Sequence, residues 1–452
     1  MLSSLTSRFF ILALFVFPAG LFAADSQPVT STPVTFSKDI APIFQERCQE
    51  CHHAGSMAPM SLVTYEETRP WARAIRQRVV KRQMPPWHID MTVGVTKFKN
   101  DMSLTDEQIN KIVRWVDSGA PQGDVKDMPA PKVFPASNEW KATRELGQPD
   151  IVVKSEPYTM PAKGQDAWWR PLAEIPVSEP RWLRAVEIRP GTVKGRRITH
   201  HAVAYLQQDD PEALGDPQMN RGYLMEWAVG KGYDLHGTDS GKLLMPGAKI
   251  SWDIHLHAVG EQIRDNVEIG IWLYPKGQEP KHRTYLTGFQ AVRGFDGAQR
   301  LSGEGGRALD VRPNAITTAD SYTVLKKAAR IENFQPHMHL RGKAMAVEAI
   351  LPDGTMQTLS YVPNFDFKWM TNYIYADDAA PLLPKGTVIH VTAWYDNTRA
   401  NPNNPDPDQW VGWGDRTVDE MGHAWMNVTY LNDEEYLSEM VKRKTRQVAS
   451  TR

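Results

Sequence analysis

Only two cysteines occur in 452 residues, and they lie three positions apart in Cys48-Gln49-Glu50-Cys51-His52. No thiol is left to crosslink any other part of the chain. The remainder must fold on its hydrophobic core alone, and a chain of this length can bury one. The five-residue pattern is the attachment signature of a c-type haem. Two thiols add to the haem vinyl groups and the adjacent histidine ligates iron. The short loop brings all three side chains to one haem edge. A redox dithiol shares the spacing, whereas a zinc site would need a second cysteine pair that the chain lacks. Cys48, Cys51 and His52 are therefore expected to hold one covalent haem c.

The N-terminus reads as an export signal. Arg8 precedes the apolar run Phe9 to Phe17, followed by Pro18, Gly20 and small residues at Ala23 and Ala24. The run is shorter than the roughly 20 residues that span a bilayer. Residues 1–24 are expected to be a cleaved signal peptide, which implies a periplasmic location; an uncleaved anchor is the alternative. A composition of 41% apolar and 23% charged residues suits a soluble globular protein. The net charge of -1 leaves no basic footprint for nucleic acid.

The length allows two or three folding units. Residues 35–122 read as a helical, cytochrome c-like haem domain. Thr105 and Gln108 form a capping box, and Ile109, Ile112, Val113 and Val116 follow at helical spacing until Gly119 and Pro121. A second helix is expected over 66–83 with Trp71, Ile75 and Val79 on one face. A third enters Cys48 through Ile40, Ile43 and Phe44. Residues 123–149, rich in proline and alanine, read as a linker. Beyond them, short β-branched stretches at 151–153, 184–188, 267–273 and 388–392 alternate with turn clusters. The expected fold is mainly β: two β-sandwich domains over 150–310 and 311–432. Residues 401–408 read as an irregular loop. Residues 433–452 read as a charged tail, a surface helix with a frayed end.

A sixth haem ligand is expected at Met84, in Gln83-Met84-Pro85-Pro86-Trp87, where two prolines stiffen a loop after the second helix. Met57, Met60, His53 and His88 compete for the role. A thioether ligand would raise the haem potential relative to two histidines and suit one-electron transfer.

Thirteen histidines occur, and six fall in three tight groups: His200-His201, His255-Leu256-His257 and His337-Met338-His339. Residues two apart in a strand face one side, so His337 with His339, or His255 with His257, can share a metal. The neighbours His200 and His201 can do so only at a strand end or bulge. Neutral imidazole suits copper, zinc, iron and nickel.

Residues of about 150–430 resemble the copper type II, ascorbate-dependent monooxygenases, the family of peptidylglycine hydroxylating monooxygenase and dopamine β-monooxygenase. The resemblance is carried by Thr199-His200-His201-Ala202, by His255 five residues before Gly260, and by Pro336-His337-Met338-His339-Leu340-Arg341-Gly342-Lys343. Trp413-Gly414-Asp415 followed by Asp419-Glu420-Met421 adds to it. It implies jelly-roll-like sandwiches and two copper ions. His200, His201 and His255 would hold an electron-storing copper, with His257 the competing third ligand. His337, His339 and Met421 would hold the copper that meets O2. The soft Met421 sulfur favours Cu(I).

The family's peptide hydroxylase has an Arg where this chain has Gln335, and an Asn and a Tyr where it has His423 and Trp425. A peptide C-terminal carboxylate is thus not the expected handle. Animal members are also disulfide-rich, which this chain cannot be. The expected activity is hydroxylation of a small-molecule or peptide-like organic substrate with O2. Electrons would come from an external donor, a cytochrome, a quinol-linked protein or a small reductant, through the fused haem. A non-catalytic copper-binding or electron-transfer haem protein is the competing expectation.

Overall fold

The computed structural model describes residues 33–54, 56, 58–134, 139–211, 222–291 and 309–450; the expected signal segment 1–24 and the candidate ligand Met57 lie outside them. The chain is mainly β, with several sheets following a helical N-terminal part. Among the described residues no helix is long and apolar enough to cross a membrane.

The helical part is built on aromatic packing. Helical turns at Phe36–Ile40 and Ala41–Arg47 carry Phe36, Ile40 and Phe44 into a core shared with Ile112 and Trp115. The Phe36 and Phe44 rings lie 5.9 and 6.5 Å from the Trp115 ring. Full burial of each such side chain is worth about 2 kcal/mol. Helix Asp106–Asp117 starts at the expected capping box, with both reciprocal Thr105–Gln108 bonds made.

The expected 66–83 helix is broken instead into Tyr65–Thr68, a 3-10 turn Arg69–Trp71 and Ala72–Val80. Pro70 lacks the N–H that a continuous helix needs there. The break turns Trp71 outward, 44% exposed, while Ile75 and Val79 stay buried.

A longer departure follows. Residues 85–100 leave the helices and lie on the C-terminal β region. Asp90 and Val95 donate backbone N–H bonds to Tyr361 and Leu359, and Lys99 to Ile374. Trp87 packs edge-on to Tyr373 at 4.7 Å, and Phe98 lies 5.7 Å from Tyr375. The reason is apolar area: Trp87 and Ile89 are buried members of that region's core.

In the β region one eleven-stranded sheet runs the whole length. Its first part holds Ile151–Lys154, Val267–Leu273, Arg181–Pro190 and Ser240–Leu244. Its second holds His282–Gln290, Gly422–Leu431, Asn333–Met338 and Ala328–Ile331. The two parts join through a parallel pairing of Ser240 and Gly241 with His282 and Arg283. A five-stranded sheet, including Thr199–Gln207, Tyr223–Ala228 and Lys249–Leu256, shares one core with the first part. A four-stranded sheet of Ile316–Val324, Gly342–Ile350, Met356–Val362 and Val388–Asp396 shares another with the second. Strand Val388–Asp396 shows the simple alternation, with Ile389, Val391, Ala393 and Tyr395 inward.

Strand Val267–Leu273 is buried on both faces, because the end of the stretch read as a linker covers it. Trp140 packs on Trp272 at 6.2 Å and beneath the Arg189 guanidinium at 3.7 Å. The Glu187 carboxylate accepts the N–H groups of Lys141 and Ala142. In the 401–408 loop the Asn401, Asn404 and Asp406 side chains cap N–H groups two residues on. The tail forms helix Asp433–Ser450, capped by Asn432.

Candidate metal centre

The neighbours His200 and His201 serve one centre because a bulge sits at their position. Strand Lys249–Leu256 pairs His255 with His201 but Leu256 with Thr199, so His200 is the extra residue. The bulge lets two consecutive side chains point the same way. The ring centroids of His200 and His201 lie 5.0 and 4.9 Å from that of His255. One ligand atom from each of the three lies within 4.8 Å of the others. This buried cluster can bind a metal ion. His257 is outside that triad, its ring 6.4 Å from His200.

Outer contacts fix the ring orientations. His255 Nε2 pairs with the Asp166 carboxylate at 2.9 Å, leaving Nδ1 buried without a hydrogen-bond partner. The Trp168 indole stacks on the same ring at 4.8 Å. A carboxylate on the far nitrogen sets the tautomer of a metal-binding histidine and raises its basicity.

The second group comes from the end of strand Asn333–Met338. His337 pairs with His423 and Met338 with Gly422, which puts His339 and Met421 one step further along the two neighbouring chains. His339 Nδ1 lies 3.0 Å from the Asp419 carbonyl oxygen and its Nε2 is buried without a partner. The Glu420 carboxylate accepts the N–H groups of His339 and Arg341. Gly414 donates its N–H to Glu420 and faces Asp419 so closely that a Cβ there would lie 2.4 Å from Oδ2. The Trp413-Gly414-Asp415 and Asp419-Glu420-Met421 motifs are thus one knitted unit beneath His339.

The two groups expected to form separate sites face each other across the junction of the two β cores. His201 lies 5.8 Å from His337, and His200 6.1 Å from His339, between ring centroids. His337 and His339 are 5.6 Å apart. His423 stacks on Trp425 and lies 6.0 Å from His337. Gln335 is fully buried two residues before His337.

Burial dominates the electrostatics. It pushes the pKa values of His200, His201 and His337 well below the ordinary 6.5, and their histidine neighbours push them further. Burial takes His339 down to about 4, and lowers His255 against the opposing pull of Asp166. All five are neutral at pH 7, the form that ligates metal. Neutral rings with orphaned buried nitrogens fit a soft or borderline ion. Beside them Glu226 is buried, its Oε1 3.7 Å from His337 Nδ1, and desolvation raises its pKa to about 7.

At the cysteine motif both thiols are free. Burial pushes Cys48 up to about 12. His52 Nδ1 lies 3.1 Å from the Met60 carbonyl oxygen, which leaves Nε2 for an iron. Cys48 and Met60 pack on the core that holds Val79 and Leu104, as does Ile109. These last three also line a cavity of about 1040 Å³ with Met84 and His88. Cys48, Cys51 and His52 are not among the residues that line this cavity. His53 is engaged elsewhere, stacked on Phe134 at 4.3 Å.

Sequence reasoning missed Asp166, Trp168, Glu226, Glu420's two N–H bonds and Phe367, whose ring stacks on His200 at 5.0 Å. Only the Asp-Ala-Trp-Trp run at 166–169, opposite His255 in the sheet, carried a local signal.

No family model matches the chain, and no curated protein does. Among solved structures it is similar to the VP2 subviral particle of infectious bursal disease virus. That match has 10% identity and a TM-score of 0.18, covering 64% of this chain and 74% of that one. It is also similar to a mutant Bacillus subtilis oxalate decarboxylase, at 10% identity and a TM-score of 0.14, covering 68% and 81%. Likeness this slight says nothing of fold or activity here.

Two outcomes are expected. In the metal-free protein the five histidines stay neutral while the unfolded chain protonates below about 6.5. Stability should therefore be complete above that pH and fall as pH drops towards the folded-state values. His339 alone is worth on the order of 2 kcal/mol by pH 5. Thermal melting of the metal-free chain from pH 7.5 to 5 checks this; a flat profile would mean open, hydrated rings. Asp166→Asn should weaken metal binding at His200, His201 and His255 by about 10- to 100-fold. Calorimetric titration with Cu(II) reads that loss directly.

Proposed function

We propose that this protein is a periplasmic, copper-dependent monooxygenase that hydroxylates an organic substrate with O2 and draws electrons through its own c-type haem. One observation carries the reading. Buried neutral histidines from both β cores, His200, His201 and His255 on one side and His337 and His339 on the other, converge on one junction. Met421 stands beside the second group in sequence register. On this reading the two β cores are sandwich domains of the copper type II monooxygenase kind, and the helical part is a small cytochrome c domain.

Copper held there supplies one-electron transfer and activation of O2. His200, His201 and His255 hold the ion that stores an electron. Asp166 and Trp168 keep His255 from turning. His337, His339 and the Met421 thioether hold the second ion and favour its reduced state. Glu420 fixes the backbone at His339 and Arg341, so the second group keeps its geometry when the ion changes charge. Gln335, His423 and Trp425 form the substrate side. Gln335 carries no positive charge where the family's peptide hydroxylase has its Arg, which argues against a carboxylate handle.

Hydroxylation consumes R–H, O2, two electrons and two protons and yields R–OH and water. Two one-electron deliveries are needed per turnover. Cys48, Cys51 and His52 would hold a one-electron carrier in the same chain, which an external cytochrome, quinol-linked protein or small reductant would recharge.

Residues 85–100 complete the core at Trp87 and Phe98, so deleting the helical part would damage the centre. The test is a full-length Cys48→Ser/Cys51→Ser variant that binds no covalent haem. It should lose substrate-dependent O2 uptake with a reduced cytochrome as donor and keep it with a chemical reductant. Equal rates from variant and parent with the cytochrome would remove the haem from the pathway. Absence of O2 uptake in the copper-loaded parent across a substrate screen would leave a copper-binding protein. Met421→Ala should retain about two coppers per haem at saturating metal while O2 consumption falls about 100-fold or more. Unchanged O2 consumption would reduce Met421 to packing.

A further inference from the structure

The two faces of helix Asp433–Ser450 are unlike each other. Its inner side packs on strand Ala328–Ile331. Arg443 donates to the carbonyl oxygens of Ala380 and Asp377, and Glu435 pairs with Lys281 at 3.2 Å. Glu439 pairs with Lys442 and Arg443. These charged groups find their partners within the chain.

The outward face is apolar in its middle. Leu437, Met440 and Val441 are 62, 44 and 65% exposed. They stand three and four positions apart and so form one stripe. The same steps reach Asp433 and Glu434 at one end of the stripe and Lys444 at the other. All three are exposed, and none has an ion-pair partner among the described residues. Acids in a first turn and a base near the end also suit the helix's own dipole. The dipole gives no reason for three large apolar side chains between them. Single exposed apolar residues are ordinary, whereas several side by side mark a contact surface.

Acid, apolar, base along one line is a pattern complementary to itself in one orientation. Two such helices laid antiparallel, crossing near Met440 and Val441, bring the apolar middles together. Lys444 of each copy then lies within about one helical turn of the partner's Asp433 and the partner's Glu434. Laid parallel, the same helices would set acids against acids and Lys444 against its own copy, which repels. An anionic lipid surface fits poorly, because two acids stand at one end of the stripe.

We propose that the outward face of helix Asp433–Ser450 is a self-association surface whose occupant is the same helix of a second copy of this chain, antiparallel across a two-fold axis. The interface is isologous, so each copy supplies both the acidic and the basic end of the contact. Three apolar side chains per copy make a contact well below the roughly 1,200 Å² of stable specific complexes. The pair therefore forms and dissociates with concentration. The inference stands apart from the metal centre and from the proposed reaction.

The test is sedimentation equilibrium of the full-length protein over a dilution series, with thermal melting of each variant to show that the fold is kept. The parent should pass from monomer to dimer as concentration rises, and stop there. Leu437→Asp and Val441→Asp should each weaken the pair about tenfold or more. Lys444→Glu should weaken it as well, and so should Asp433→Lys combined with Glu434→Lys, each by about tenfold. Mixing those last two proteins should bring pairing back to within about threefold of the parent, because a stripe acidic at both ends then meets one basic at both ends. A parent that stays monomeric at every concentration would overturn the proposal, as would a dimer that Leu437→Asp and Val441→Asp leave untouched. Charge variants that pair as the parent does, or a mixture that pairs no tighter than its components, would overturn the antiparallel seating and the proposal with it.

Discussion

Desolvation of neutral imidazoles at the junction of two β cores is the constraint on which the rest of the molecule turns. His200, His255, His337 and His339 are buried, His201 is half-buried beside them, and one ring nitrogen each of His255, His337 and His339 is buried without a hydrogen-bond partner. Such burial is costly without partners. The chain meets part of the need with Asp166 on His255 and the Asp419 carbonyl on His339. The nitrogens left over are lone pairs aimed at a shared space. A cluster of this kind is stable chiefly when a cation satisfies it, so metal affinity and junction geometry are two expressions of one energy.

Keeping the two cores in register is therefore as important as the ligands. Buried charged pairs do this at the junction. Glu332, in the second region, reaches His236 at 3.0 Å and bonds the Ser240 hydroxyl in the first. Its carboxylate also accepts from Thr429 and Thr284, and His236, the Arg330 charge and the Ser240 hydroxyl hold its pKa down to about 2 despite burial. Arg330 forks onto Asp239 across the same seam. Asn372 bonds Asp234, which in turn faces Lys231 at 3.3 Å. Breaking one partner of a buried pair strands the other, at roughly 3 to 5 kcal/mol. The seam is thus far more specific in its alignment than an apolar interface of the same area.

How much of this could be read from sequence follows from the range of each interaction. The capping box at Thr105 and Gln108 and the alternation in Val388–Asp396 are local, and both were legible. So was the need for a strand end or bulge at His200-His201, because adjacent side chains in a regular strand cannot share an ion. The break at Pro70 was local too, but the 3.6-residue period of Ile75 and Val79 masked it. What stayed hidden was long-range. Nothing within residues 85–100 announces that Trp87 and Phe98 find Tyr373 and Tyr375. No periodicity marks Phe367, a loop aromatic whose meaning comes only from the imidazole under it. The closeness of the two histidine groups depends on the parallel pairing that joins the halves, which no local pattern encodes.

The helical part is held against the β cores at two places. Glu50, inside the cysteine motif, pairs with Arg144 at the end of the linker. Cys51 lies within the fields of Lys141 and Arg196, and Arg196 precedes His200 by only four residues. On the other side, residues 85–100 have become part of the second core. Withdrawing them would expose Trp87, Ile89 and their partners, at about 2 kcal/mol for each large side chain. For the helical part to swing on a free tether, both attachments would have to let go. Two attachments instead hold the cysteine motif at a set place relative to the histidine cluster.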